Sequence, residues 1–258
     1  MSSLLVDRVA AITGGTRGIG RAIAEAFVAE GARVVINGRS VKKGELALSE
    51  MAAGDAVAFF PGSVTEKGII EGLVDFTIEH FGQLDVMVLN AGGVGDSAPV
   101  VELTDEEWDF ELALNLNHVF RGTRRALKHM IPRQFGRIIA ISSIDGKHGR
   151  PNLAGYAANK HGINGFVKST AREVGIYGVT VNSICPGLVL TDMANERAGK
   201  NLGLKSIEEL VTLLTGDTAL KRPVTPEEIG AFATYLASEM GGGFSGGTIS
   251  LDGGGAYY

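Results

Sequence analysis

Cysteine is nearly missing from this chain. Its 258 residues include one, Cys185, so no internal disulfide can form and no cysteine-rich metal site can be assembled. A chain of this length buries a core large enough to fold without either staple. An excess of positive charge is missing as well. The net charge is −5, which leaves no basic footprint for nucleic acid or an anionic membrane. No run approaches the roughly 18 consecutive apolar residues of a membrane span. The opening stretch, MSSLLVDRVAAITGG, is interrupted by Asp7 and Arg8 and is too short and broken for a secretory signal. With the lone cysteine, this points to a reducing, cytoplasmic setting. The five histidines nowhere cluster with Cys185 and carboxylates, so no metal is expected. Internal repeats, low-complexity tracts and linkers are also missing, which favours one domain over residues 1–258.

What is present is alternation. Short apolar runs at 8–13, 33–37, 56–60, 85–89, 137–142, 180–184 and 248–251 read as buried strands. Amphipathic stretches at about 18–30, 41–52, 66–81, 104–130, 154–177 and 226–238 separate them. Thr104 with Glu107 and Thr225 with Glu228 have capping-box spacing, and Pro226 stands at a first helical position. Strands alternating with helices predict an α/β fold: a doubly wound, seven-stranded parallel sheet of Rossmann type with helices on both faces. One irregular region, about 186–222, lies past the sixth strand and contains a short amphipathic stretch, SIEELVTLLTG. Residues 190–215 there are a candidate lid over the ligand crevice.

The loop TGGTRGIG (13–20) follows the first strand and opens the first helix. Gly14, Gly18 and Gly20 allow a tight turn and close backbone approach to a pyrophosphate, while the helix N-terminus offers N–H groups and a favourable dipole. The strand–loop–helix context is what such a glycine pattern requires before it is read as a dinucleotide site. Further on, YAANK (156–160) puts Tyr156 and Lys160 four residues apart, on one face of a helix. An ammonium beside a phenol lowers its pKa from about 10. A shift to about 7 corresponds to roughly 4 kcal/mol of differential stabilisation of the phenolate, and gives an acid/base group fit for neutral pH.

These motifs, with NAG (90–92), NLNHVF (115–120), ISS (141–143), PGLVLT (186–191) and LDGG (251–254), stand in an order and spacing that resembles the short-chain dehydrogenase/reductase family. The resemblance covers the whole chain and lies nearest to the 3-oxoacyl-(acyl-carrier-protein) reductases and 3-hydroxybutyrate dehydrogenases. It implies hydride transfer between a nicotinamide coenzyme and a carbonyl or secondary alcohol. Tyr156 would be the acid/base and Lys160 would lower its pKa and bond the nicotinamide ribose. Ser143 would hydrogen-bond the reacting oxygen, and Asn115 would support a water relaying protons from Lys160. A Ser/Tyr donor pair suits a reaction that builds negative charge on oxygen.

The resemblance also implies coenzyme contacts. In the glycine loop these are Gly14, Thr16, Arg17, Gly18, Ile19 and Gly20. After the third and fourth strands they are Ser63 and Val64, then Asn90, Ala91 and Gly92. After the sixth they are Pro186, Gly187, Val189 and Thr191. Ser63 stands where the family usually has an aspartate near the adenine. Among neighbours, strand alternation turns Ser142 away from the face of Ser143, and the family frame favours Asn115 over Asn117. His118, in place of the family's usual glycine, reads as a packing or surface residue. Cys185 reads as a buried thiol and His161 as structural.

The second strand ends in VVINGRS (34–40). An NAD site usually carries an acid there to hold the ribose 2′-hydroxyl. Gly38 and Arg39 take its place, and Arg39 with Arg17 could meet a 2′-phosphate. NADP is therefore the expected coenzyme, with NAD the alternative. The substrate pocket is expected between 93–96, 145–153 and the lid region 188–215, with Asp145, His148, Arg150 and Arg197 giving it mixed charge. A small β-keto or 3-hydroxyacyl compound is the first expectation; a sugar, steroid or cyclic alcohol remains open. Family members are usually tetramers built through the two long helices and the last strand, so a homotetramer is expected.

Overall fold

The structure, a computed structural model, describes residues 3–95, 97–191 and 206–256. Seven strands form one sheet: β1 (Val9–Ile12), β2 (Arg33–Gly38), β3 (Val57–Pro61), β4 (Val86–Leu89), β5 (Gly136–Ile141), β6 (Val179–Pro186) and β7 (Thr248–Leu251). Their order is β3-β2-β1-β4-β5-β6-β7 and every pair is parallel. The order reverses between β1 and β4, and in such sheets ligands bind at the carboxyl end of that switch point.

Alternation within the strands divides the core in two. Ile12, Val34, Ile36, Val88 and Ile139 face one side, where they meet Ile23 and Phe27 of helix α1 (Gly18–Ala29) and Ile229 and Leu236 of the last helix. Ala11, Val35, Met87, Leu89 and Ile138 face the other, against α3 (Ile69–Phe81), α5 (His118–Arg133) and α6 (Ala154–Val174). Each fully buried Leu, Ile or Phe contributes roughly 1.5–3 kcal/mol. Because both faces are covered, the strands read as near-continuous apolar runs, not as alternating ones.

The remaining helices are α2 (Val41–Met51), α4 (Asp105–Leu112), α7 (Ile207–Thr215) and α8 (Pro226–Ala237). Both capping boxes form: Thr104 Oγ1 accepts from the Glu107 N–H, and Thr225 Oγ1 from that of Glu228, each at 3.2 Å. The stretch expected as one helix over 104–130 differs. A π-helical turn, Ala113–Asn117, joins α4 to α5, and α5 continues through Pro132 to Arg133.

Candidate active site

The carboxyl edge of the sheet gathers the glycine loop after β1, Gly38 and Arg39 at the end of β2, Ser63 after β3, Asn90–Gly92 after β4, Ser143 after β5 and Gly187 after β6. In the glycine loop, Gly14 and Gly18 have φ of 64° and 55°, left-handed values that glycine adopts without steric cost. A Cβ on Gly20 would stand 2.4 Å from both the Gly14 carbonyl oxygen and Asn90 Nδ2. Asn90 explains the crowding. Its Nδ2 donates to the carbonyls of Thr13 (2.9 Å) and Gly14 (3.2 Å). Thr13 Oγ1 in turn accepts from the backbone N–H groups of Asn90 and Ala91, both at 2.9 Å. The loop is thus tied to the end of β4 across the switch point. Thr13 carries this tie, yet the motif reading gave it no role.

Helix α1 begins at Gly18 behind an extended Arg17, and no side chain caps it. Its first N–H groups lack intrahelical partners and form a ready anion site. Thr191 lies beside this turn, with Cγ2 at 3.2 Å from where a Gly18 Cβ would be. Val189 is buried and bridges to Val224, and Gly187 donates to the Leu251 carbonyl at 3.2 Å. Ile19 packs against the core beneath the loop. Val64 is buried, while Ser63 Oγ is hydrogen-bonded to Thr65 Oγ1 at 2.8 Å. These residues fit a dinucleotide: glycines that permit close approach, an uncapped helix start, and β6-end residues alongside.

The end of β2 holds a steric surprise. A Cβ on Gly38 would fall 2.7 Å from Thr16 Cγ2 and 3.1 Å from its Oγ1. Gly38 therefore makes room for the glycine loop as well as lacking an acid. Arg39 is exposed.

The catalytic half centres on Lys160. Its side chain is buried, with 3% exposed. Nζ donates to the Ile141 carbonyl at 2.9 Å and lies 5.4 Å from the centre of the Tyr156 ring. Burial pushes the ammonium down to about 8, while Cys185 and Asp145 pull it back up. At pH 7 it remains mostly charged. A Cβ on Gly92 would lie 3.3 Å from Lys160 Nζ and 2.9 Å from Asn115 Oδ1, so the coenzyme loop, the lysine and Asn115 meet at one point. The π turn carries Asn115 inward, fully buried. Its side chain is fully engaged: Oδ1 accepts from the Gly93 N–H (3.0 Å), and Nδ2 donates to the carbonyls of Gly93 (2.9 Å) and Glu111 (3.0 Å).

Ser143 caps a short 3-10 turn, Ile144–Gly146, and its Oγ accepts from the Asp145 N–H at 3.0 Å. Ser142 points the other way and donates to the Lys160 carbonyl at 3.1 Å, as the strand alternation implies. Asp145 is buried, with Arg150 Nε 2.8 Å and His148 Nε2 3.3 Å from its Oδ1, neither at hydrogen-bonding angles. Asp96, Arg197 and residues 192–205 of the expected lid lie outside the described residues. The described end of the lid, α7, packs through Ile207, Leu210 and Leu214 on Leu188.

Three more residues found their places. Cys185 is buried and its thiol donates to Asn164 Oδ1 at 3.7 Å. His161 is exposed, with Nδ1 2.9 Å from the Ala157 carbonyl. His118 is buried in the first turn of α5, and neither ring nitrogen makes a hydrogen bond. Among the described residues, no group of three or more His, Cys, Asp or Glu is arranged to hold a metal.

An anion cradle at the switch point, with a buried ammonium and a phenol on the same sheet edge, defines a class: oxidoreductases that take a nicotinamide coenzyme and work between alcohol and carbonyl. Comparison with known proteins makes this particular. The chain belongs to the short chain dehydrogenase family, whose model matches residues 8–201. It is 36% identical over 258 residues to the 3-oxoacyl-(acyl-carrier-protein) reductase FabG of Chlamydia muridarum, covering 98% of this chain and 99% of that one. It is 35% identical over 257 residues to the D-beta-hydroxybutyrate dehydrogenase of Cupriavidus necator, covering 97% and 98%. Among solved structures, a variant of actinorhodin polyketide ketoreductase with NADPH matches at a TM-score of 0.91 and 35% identity, over 100% of both chains. The protein is thus an NAD(P)-dependent oxidoreductase of CH–OH and C=O groups.

Proposed function

We propose that the protein is an NADP(H)-dependent reductase of a small β-keto acyl compound, with a 3-oxoacyl thioester as the leading substrate. The observation that carries the catalytic reading is the charged, buried Lys160 set against Tyr156. When bound, the coenzyme supplies the hydride. Tyr156 gives its phenolic proton to the substrate oxygen as charge develops there. Ser143 donates to the same oxygen: its Oγ already accepts from Asp145 N–H, which leaves its own hydrogen for the substrate. Lys160 stabilises the phenolate that remains. Asn115 would support the water that relays protons from Lys160 to solvent, its own side chain being held by Gly93 and Glu111.

The coenzyme reading rests on the end of β2, where Gly38 and Arg39 replace the acid that would hold a 2′-hydroxyl. The relatives include a reductase and a dehydrogenase at nearly equal identity, so an NAD-linked 3-hydroxy acid dehydrogenase is the second reading. Helix α7, docked by a handful of leucines and an isoleucine, is the described part of a lid. A homotetramer built through α5, α6 and β7 is part of the proposal; a groove of about 440 Å³ on α5 and α6, lined by Phe120, Leu127, Ile131, Pro132 and Phe166, supports the use of those two helices. No helix among the described residues is long and apolar enough to cross a membrane.

Initial rates with acetoacetyl-coenzyme A plus NADPH or NADH, and with D-3-hydroxybutyrate plus NADP or NAD, separate the two readings. Tyr156→Phe keeps the packing ring and removes the proton. It is expected to leave NADPH affinity nearly unchanged and abolish nearly all turnover. Activity within about tenfold of wild type would sink the catalytic assignment.

A further inference from the structure

One buried carboxylate has no part in the chemistry above. Glu111, in the last turn of α4, is 4% exposed. Its Oε1 accepts from the Gly95 N–H at 2.7 Å. Its Oε2 sits so close to Gly155 that a Cβ there would be 2.2 Å away. Gly155 is the second residue of α6 and immediately precedes Tyr156. One turn further along the same helix face, Asn115 holds Gly93 by both its N–H and its carbonyl.

The two side chains form a ladder. Positions four apart on the helix grip positions two apart on the loop after β4, Asn115 on Gly93 and Glu111 on Gly95. That loop leads directly from Gly92, the coenzyme contact beside Lys160. Glu111 also stands against the start of the tyrosine helix, at Gly155. The start of α6 has no side-chain cap from Leu153, and a carboxylate beside a helix N-terminus is electrostatically favoured. We propose that Glu111 is a positioning residue: it fixes the wall of the substrate pocket at 93–95 and the register of Tyr156 against it, through its contacts with Gly95 and Gly155. The proposal rests on Tyr156 as the acid/base.

The decisive experiment is a double-mutant cycle in the full-length protein, with NADPH and acetoacetyl-coenzyme A as probes. Gly155→Ala alone drives a methyl into the Glu111 carboxylate and is expected to lower kcat at least tenfold. Glu111→Ala alone is expected to raise KM for the thioester and lower kcat, while NADPH affinity stays within about twofold. Combined, the two remove the clash, so Gly155→Ala does little further harm in the Glu111→Ala background. Glu111→Gln keeps the acceptor for Gly95 and is expected to recover most of kcat. Amide hydrogen exchange gives a readout independent of turnover. Glu111→Ala should accelerate exchange in peptides covering 91–99 and 153–158 and leave the glycine loop unchanged. If Glu111→Ala does not fold, the Gly155→Ala and Glu111→Gln variants still decide. Additive effects in the cycle, or in its absence a wild-type kcat for Gly155→Ala, overturn the proposal, as does unchanged exchange at 91–99. If Tyr156→Phe remains active, the underlying site reading fails instead; an inactive Tyr156→Phe with an additive cycle leaves that reading standing and removes only this one.

Discussion

His118 makes stability depend on pH in a way that can be worked out before any measurement. Its imidazole is 1% exposed and without a hydrogen bond. Burial, and then the nearby Lys160 charge, push it from 6.5 down to about 3; the Leu114 carbonyl pulls weakly the other way, though not at hydrogen-bonding geometry. The folded pKa is depressed, so the folded state holds a neutral ring while the unfolded chain can still take up a proton. The associated stability is present in full above pH 6.5, falls as the pH drops below it, and has gone by about pH 3. Between pH 7 and pH 5 the unfolded chain binds most of one proton at this position and the folded chain almost none, which corresponds to about 2 kcal/mol. That is a sizeable part of the 5–15 kcal/mol typical of a folded protein. His118→Leu fills a similar volume and cannot titrate. Urea denaturation at pH 7, 6 and 5, at one protein concentration, should show the variant gaining about 2 kcal/mol on wild type across the series. All other titrating groups are shared, so parallel pH profiles for the two proteins would refute the buried, neutral imidazole.

Four other expectations follow from the site. Arg39→Ala should weaken NADPH binding about 10- to 150-fold, as for a lost hydrogen bond to a charged group, and hardly change NADH binding; equal changes for both coenzymes would remove the 2′-phosphate reading. Gly38→Asp should invert coenzyme preference only when joined to Thr16→Ala, which clears the 2.7 Å conflict at Thr16 Cγ2; kcat/KM for both coenzymes at one ionic strength checks this, and inversion by Gly38→Asp alone would contradict the geometry. Lys160→Met should abolish turnover yet raise stability at pH 7 by up to about 3 kcal/mol, because the folded state holds the ammonium at about 8, not 10.5; a less stable variant would mean that the bond to the Ile141 carbonyl outweighs burial. Amides of α7 should exchange fast in the free protein and slow in the ternary complex, and strong protection without ligand would count against a lid.

Much of the fold was legible because its signals are local. Apolar runs marked all seven strands, and hydroxyl–carboxylate spacing marked the starts of α4 and α8. The glycine loop and the Tyr156–Lys160 spacing carried the proposed site for the same reason. Features that depend on contacts between distant segments were not legible. The π turn at 113–117 looks like ordinary helix in sequence; Asn115 reaching Gly93, 22 residues away, accompanies its inward turn. The expected helix ended at about 130, but α5 runs on through Pro132, where one missing N–H in the last turn is tolerated, and Gln134 closes it in a left-handed conformation with φ of 53°. Thr13, Glu111 and the buried state of His118 were hidden too, since each acts through a partner that the sequence does not place beside it.

The contact between Gly38 and Thr16 bears on how this chain could change over generations. Coenzyme preference in such folds is often pictured as the identity of one residue at the end of the second strand. Here that position is mechanically linked to the phosphate loop. An acid arriving first at Gly38 meets Thr16; a smaller residue arriving first at Thr16 clears the space for it. The two substitutions therefore have an order, with the change at residue 16 needed before the acid at residue 38. A lineage carrying this pair should hold its coenzyme choice longer under drift than one with an open second-strand terminus, and a change at residue 16 would be what makes the switch reachable.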